Sequence, residues 1–279
     1  MGVGFSVAFF FNESPAMPRL LTPLALSCAL LTAFAAHAAP VPTPTTLTVL
    51  SSGGIMGAVQ GIAPDYEKAT GVKLNIEASP SMGKTPQAIP NRLDRKEPAD
   101  VVLLVGSALD KLVAQDQVDK ASRVDLGKSY IAMAVRKGET KPDISTMDAF
   151  RKALLDSKSI AYSDSASGVY LSRILFPKMT LGADFTAKAR MIPAEPVGAV
   201  VARKEAHLGF QQLSELKPVE GIDIVGLIPD QAQQMTLYSG AVTRSTEHAK
   251  EAQALLKYTA SKEGAKAIED SGLKPVTTR

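Results

Sequence analysis

The chain has 279 residues, 45% of them hydrophobic and 21% charged, with 31 basic against 28 acidic side chains and a formal net charge of +3. That length allows one large or two medium domains with an ordinary core, and the near-balance of charge excludes the basic footprint of a nucleic-acid partner. Aromatics are 5% with no tryptophan, so stacking platforms for single strands or sugars are scarce; fibrous, disulfide-stapled and multi-span membrane classes are excluded by the same composition.

Residues 17 to 38 have the pattern of a secretory leader. Arg19 is the basic start, Leu20 to Ala35 the apolar stretch, and Ala36-His37-Ala38 a small-x-small cleavage site. Thr22, Pro23 and Thr32 interrupt a run already short for a bilayer, which makes a permanent transmembrane helix the weaker reading. Residues 1–38 are therefore expected to be a signal peptide, with Met17 as the expected start and no membrane anchor after cleavage. The only cysteine, Cys28, lies in this leader, and Ala25-Leu26-Ser27 before it makes a poor lipoprotein signal. The mature chain then has no cysteine and two histidines, His207 and His248. Disulfides and thiolate catalysis are excluded, and neither a metal nor a cofactor is expected.

After a proline-rich spacer, Leu47–Leu50 is predicted to be a strand that ends in Ser51-Ser52-Gly53-Gly54. Met56, Val59, Ile62, Ala63 and Tyr66 recur at helical spacing; Pro64 should kink or break that helix and Gly71 stop it. Val72, Leu74 and Ile76 alternate as a half-buried strand, and Val101–Val105 reads as one buried on both faces. Further strands are expected at Ile131–Val135, Ser159–Tyr162, Leu208–Gln211 and Ile222–Leu227, and helices at Glu247–Tyr258 and Ser261–Glu269. Strands separated by helices argue for an α/β fold.

Three predicted strands run into small, polar, glycine-containing loops that precede helices: Ser51 to Gly54, Ser79 to Lys84, and Ser163-Asp164-Ser165-Ala166-Ser167-Gly168. Ligands collect at the carboxyl ends of strands in such sheets, where helix N-termini offer free N–H donors to an anion. Serine and glycine also make ordinary caps and turns, so each loop alone has a purely structural alternative. Three together favour an anion-binding cleft.

From Leu47 to Val276 the chain resembles the periplasmic solute-binding proteins of the molybdate-binding type. The resemblance is carried by the order of Leu47-Thr48-Val49-Leu50-Ser51-Ser52, Glu97-Pro98-Ala99-Asp100-Val101, Ser167-Gly168-Val169-Tyr170, Glu205-Ala206-His207-Leu208-Gly209-Phe210, Ala252 to Leu256 and Ser261-Lys262-Glu263-Gly264. It implies a periplasmic, type II binding-protein fold of two lobes, each a mostly parallel sheet flanked by helices, joined by two crossover strands. Lobe one would span about 46–126 plus 239–279 and lobe two about 127–238. It also implies a monomer and, for a transport protein, an ABC permease partner.

The family holds a tetrahedral dianion with neutral hydroxyl and N–H donors, and here that set is altered. Its first-loop serine falls on Gly54, its second-loop serine on Pro80, which has neither hydroxyl nor N–H, and its tyrosine donor on Gln212; Ser167 takes the small position before the lobe-two helix. Each hydrogen bond lost to a charged acceptor costs about 1.5–3 kcal/mol, so a tight molybdate site is not expected. Lys84, Arg92 and Arg173 instead suit a larger anion with separated carboxylates, and Gln211 and Gln212 can each donate to one. Each of the three cations has a plain alternative as a solvated surface charge.

In its size from Met17, its leader and these departures, the chain is similar to the bacterial aconitate isomerases, periplasmic enzymes that share this fold. That resemblance implies interconversion of trans- and cis-aconitate by allylic proton transfer. The expected substrate-binding residues are Ser51, Ser52, Gly53, Gly54, Ser79, Ser81, Met82, Lys84, Ser165, Ser167, Gly168, Tyr170, Gln211 and Gln212. Tyr170, Asp164 and Lys84 are the expected catalytic residues; Glu195 and His207 remain alternatives for the base. A binding protein for a molybdate-like oxyanion or an organic polycarboxylate, without chemistry, is the competing reading.

Overall fold

The computed structural model describes Met1, residues 44–193 and residues 195–276. Apart from Met1, the leader expected over residues 1–38, including the start at Met17, lies outside the described residues.

The chain begins with Thr46–Ser51 (β1), Gly53–Thr70 (α1), Lys73–Ala78 (β2), Ile89–Asp94 (α2), Val101–Val105 (β3), Gly106–Ala114 (α3) and Val124–Ser129 (β4). It crosses at Tyr130 into Ile131–Arg136 (β5), Met147–Asp156 (α4), Ile160–Ser163 (β6) and Ala166–Tyr170 (α5). After a π-helical turn come Phe176–Met179 (α6), Ala183–Lys188 (α7), Ala189–Ile192 (β7), Val197–Ala202 (α8), Leu208–Gln212 (β8), Leu213–Leu216 (α9) and Ile222–Leu227 (β9). It returns through residues 228–235 to Thr236–Val242 (β10), Ala249–Thr259 (α10), Lys262–Asp270 (α11) and Lys274–Pro275 (β11). The six-stranded first sheet has the order β11-β4-β10-β3-β1-β2, and the five-stranded second sheet β7-β6-β8-β5-β9.

Each sheet is mixed rather than mostly parallel. Strands β1, β2 and β3 run parallel in one, and β6, β7 and β8 in the other. The strands that arrive from the opposite lobe are antiparallel to these. The start of β5 pairs with the end of β8, Ile131 opposite Gln212, and the start of β10 pairs with the end of β3, Tyr238 opposite Val105. A strand entering directly from the other lobe starts at the interlobe edge, where the parallel strands finish, and so must run against them. The same edge therefore collects the ends of β1, β2 and β3 on one side and of β6 and β8 on the other. Gly127 and Tyr238, at the expected lobe borders, pair with each other in the first sheet.

Two apolar cores hold the sheets. In the first, every residue of β3 is buried and α1 turns Ile55, Ala58, Val59, Ile62 and Tyr66 inward. The second packs Phe150, Phe176, Phe185 and Phe210 edge to face around β5 and β8. Pro64 does not break α1, contrary to expectation: the helix runs unbroken from Gly53 to Thr70. Pro64 and Gln60, whose carbonyl loses its helical partner, both lie on the exposed face, so the lost bond is not a buried one. Gly71 ends the helix at φ 74°, a left-handed conformation that favours glycine.

Candidate active site at the interlobe edge

The first sheet brings its loops together through backbone bonds: Ser52 N–H donates to Leu103 O at 2.8 Å and Ser79 N–H to Ser51 O at 2.9 Å. Ser52 stands at the N-cap of α1, where a serine hydroxyl ordinarily accepts from the first turn. Here it makes no cap bond, is 4% exposed, and its Oγ has no partner. A buried hydroxyl beside the unpaired N–H groups of a helix start is a donor set waiting for an acceptor. The neighbouring loop is held from behind. Ser81 Oγ accepts from Val105 N–H at 3.0 Å, and Ser79 Oγ accepts from Arg92 Nη1 at 2.9 Å. Arg92 also donates to Glu77 at 2.6 Å and Glu97 at 2.7 Å. It is a buried clamp, neither an exposed charge nor a free ligand for an anion.

On the second sheet, Ser163 Oγ contacts Ser165 Oγ at 2.8 Å and Ser167 Oγ at 3.1 Å. Gly168 lets α5 start hard against the strand, since a Cβ there would stand 1.6 Å from Ser163 O. Gln211 Oε1 accepts from Val197 N–H at 2.9 Å. Gln212 Nε2 donates to Thr236 Oγ1 at 2.9 Å, while its buried Oε1 has no partner. Turning this amide end for end keeps a bond to Thr236, because the hydroxyl then donates, and frees the NH₂ for an anion.

Two groups join the halves. Tyr238, on β10, places its hydroxyl where a side chain at position 54 would be, 1.9 Å from the ideal Cβ of Gly54. A hydroxyl absent from the first loop is thus supplied by another strand. Burial first, and Glu215 second, hold Tyr238 protonated well above the ordinary tyrosine range. Glu215, on α9, reaches across so that its Oε1 lies 3.0 Å from the Cβ position of Gly53. Burial pushes its carboxyl up to about 7; bonds from the Gln212 backbone and the Gln211 side chain oppose that shift, and the charge of Asp164 adds to it. Glu215 Oε2 is buried without a partner.

Gly53 meets Glu215 and Gly54 meets Tyr238, Gln211, Gln212 and Asp164 act on the same Glu215 carboxyl, and Ser79 and Ser81 lie beyond the end of the adjoining strand β2. Other expected residues lie differently. Lys84 is exposed on its loop, with no ion pair among the described residues, and Met82 packs against the first core. The Tyr170 hydroxyl donates to Ala232 O at 3.1 Å, which ties α5 to the returning crossover. Arg173 is exposed, and Glu195 pairs with Arg203 at 2.6 Å. His207 sits at the opposite end of β8, where its Nδ1 lies 3.1 Å from Ser157 Oγ. Glu215 and Tyr238 were not expected. Glu215 lies in the four-residue helix α9 directly after β8, a place that carries no sequence signal of its own.

Residues 47–274 match the bacterial extracellular solute-binding protein family. Over 260 residues, covering 93% of this chain and 98% of the relative, the sequence is 73% identical to an aconitate isomerase of a Pseudomonas species. Among solved structures, the periplasmic molybdate-binding protein of Azotobacter vinelandii is similar with a TM-score of 0.65 at 20% identity, covering 84% of this chain and all of that one (100%). PEB3 with bound L-phospholactate is similar with a TM-score of 0.63 at 16% identity, covering 82% of this chain and 99% of that one.

Proposed function

The chain belongs to the bacterial extracellular solute-binding protein family, and from that premise we propose that it is an aconitate isomerase, interconverting trans- and cis-aconitate in the interlobe cleft. The observation that carries this reading is the 73% identity to an aconitate isomerase along almost the whole length of both chains. The cleft chemistry supports it. Aconitate carries three carboxylates and a CH₂ next to a C=C. Removing a CH₂ proton gives an allylic carbanion delocalised into a carboxylate; a proton returned to the other allylic carbon moves the double bond and allows its geometry to change.

Binding falls to the start of α1 with Ser52, to the Ser79–Ser81 loop and, from the second lobe, to the Ser163–Gly168 loop and the amides of Gln211 and Gln212. Lys84, on the rim, attracts the trianion. The added negative charge of the carbanion is met by preorganised N–H and O–H donors, which count for most when the lobes close and expel water. Because Ser52, Gln212 and the Oε2 atom of Glu215 are buried, the lobes must part to admit substrate. A tetrahedral dianion loses a second-loop donor here, because Pro80 has neither hydroxyl nor N–H. The protein works as a periplasmic monomer, exported by the leader at residues 1–38.

The competing reading, an organic-anion carrier for a permease without chemistry, draws on the family fold alone. Thermal shift with trans-aconitate, cis-aconitate and molybdate, alongside chromatography of each aconitate mixture, separates the readings. Stabilisation by both aconitates with conversion supports the isomerase; stabilisation without conversion supports the carrier.

A further inference from the structure

We propose that Glu215 is the base that takes the allylic proton of aconitate, with the Tyr238 hydroxyl donating to the carboxylate oxygen on which charge builds. The inference rests on the isomerase reading and gives its proton-transfer step a residue. Glu215 is the carboxyl that α9 carries to the interlobe edge, where its Oε1 stands over Gly53 at the start of α1. Its Oε2 is buried and accepts no hydrogen bond, so a lone pair is available to a C–H bond that no donor already holds. The groups facing it are Asp164 from the β6–α5 loop, Gln211 and the Gln212 backbone from β8, and Tyr238 from β10. Asp164 is exposed, and its charge opposes loss of the proton from Glu215. Tyr238 holds its proton too firmly to act as a base, which suits it to donate.

The step balances without any further reagent. The Glu215 carboxylate takes one proton from the CH₂ carbon and becomes a carboxylic acid. The C–H electron pair spreads through the C=C into the adjoining carboxylate, and the Glu215 carboxylic acid gives its proton to the other allylic carbon, which restores the Glu215 carboxylate. Nothing is oxidised or reduced. A base whose proton affinity lies near neutrality is suited to taking a weakly acidic proton and giving one back.

The test is E215Q, with E215D and Y238F beside it, each checked for folding by its melting curve and for binding of trans-aconitate by calorimetry. E215Q is expected to lose about 100-fold to 10,000-fold in kcat and to keep trans-aconitate affinity within about tenfold. E215D is expected to recover part of the rate, and Y238F to lower kcat more than it raises KM. For the unaltered protein, kcat/KM is expected to rise with pH and level off above about 7, the region to which the Glu215 carboxyl is raised. If the unaltered protein converts aconitate and folded E215Q keeps more than about a tenth of its kcat, Glu215 is not the base. If E215Q does not fold, the pH profile decides: a flat kcat/KM from about pH 5.5 to 8.5 overturns the proposal. If the unaltered protein converts no aconitate, the isomerase reading fails and this assignment fails with it.

Discussion

Replacing Glu215 by glutamine removes one ionisation from a half-buried side chain whose Oε2 is buried, and should change how stability depends on pH. In the folded protein the carboxyl is raised to about 7, against an ordinary glutamate value of 4.5. Below 4.5 both folded and unfolded chains hold the proton. Between 4.5 and about 7 the folded protein holds a proton that the unfolded chain has released, so folding binds protons and stability falls as pH rises. Above 7 the full penalty is present, about 3 kcal/mol from the span between the two values. Parting of the lobes rehydrates the carboxyl and relieves some of this, so the observed change should lie between about 1 and 3 kcal/mol. Urea unfolding of the unaltered protein and of E215Q at several pH values isolates the effect, because all other titrating groups are common to both. Relative to the unaltered protein, E215Q should gain stability as pH rises from 4.5 to about 7 and then level off. A difference that stays constant over that range would refute the claim that this carboxyl is ionised at a cost inside the fold.

Other substitutions probe the surroundings. G54A puts a methyl group into the space of the Tyr238 hydroxyl; it should destabilise by about 1–3 kcal/mol and lower turnover, measured by thermal melting and initial rates. R92K cannot serve Ser79, Glu77 and Glu97 together. It should cost about 2 kcal/mol in denaturant unfolding and expose the Ser79–Ala88 loop to proteolysis. K84A should weaken trans-aconitate binding more than R173A does in calorimetry; equal, unaltered affinities would place both cations outside the cleft.

The readable parts of the fold were those with local periodicity. Val101–Val105 and Ile222–Leu227 occur with the bounds expected of them, because a run of branched apolar residues and an abrupt polar stop specify a strand without reference to the rest of the chain. Strand β10 was not anticipated: Ser239-Gly240 interrupts its apolar pattern, and its place between β3 and β4 is set by pairing partners far away in sequence. Strand β4 carries Asp125 and Lys128 and was hidden for a similar reason. The serine loops were legible because strand ends and helix starts announce themselves in the sequence. Tyr238 and Glu215 were not. The tyrosine matters only because glycine at position 54 makes room for it, and the glutamate looks like any polar helix residue until the lobes enclose it. Arg92 illustrates the converse: a charge amid Arg92 to Lys96 looked exposed, yet three acceptors bury it.

The most direct measurement follows purified protein with pure trans-aconitate in one vessel and pure cis-aconitate in another, both read by chromatography until the composition stops changing. An interlobe cleft that moves the allylic proton brings both vessels to one common isomer ratio, at a rate proportional to protein concentration. Two vessels that keep their starting isomers, while the protein binds either compound, would show a carrier in place of an enzyme.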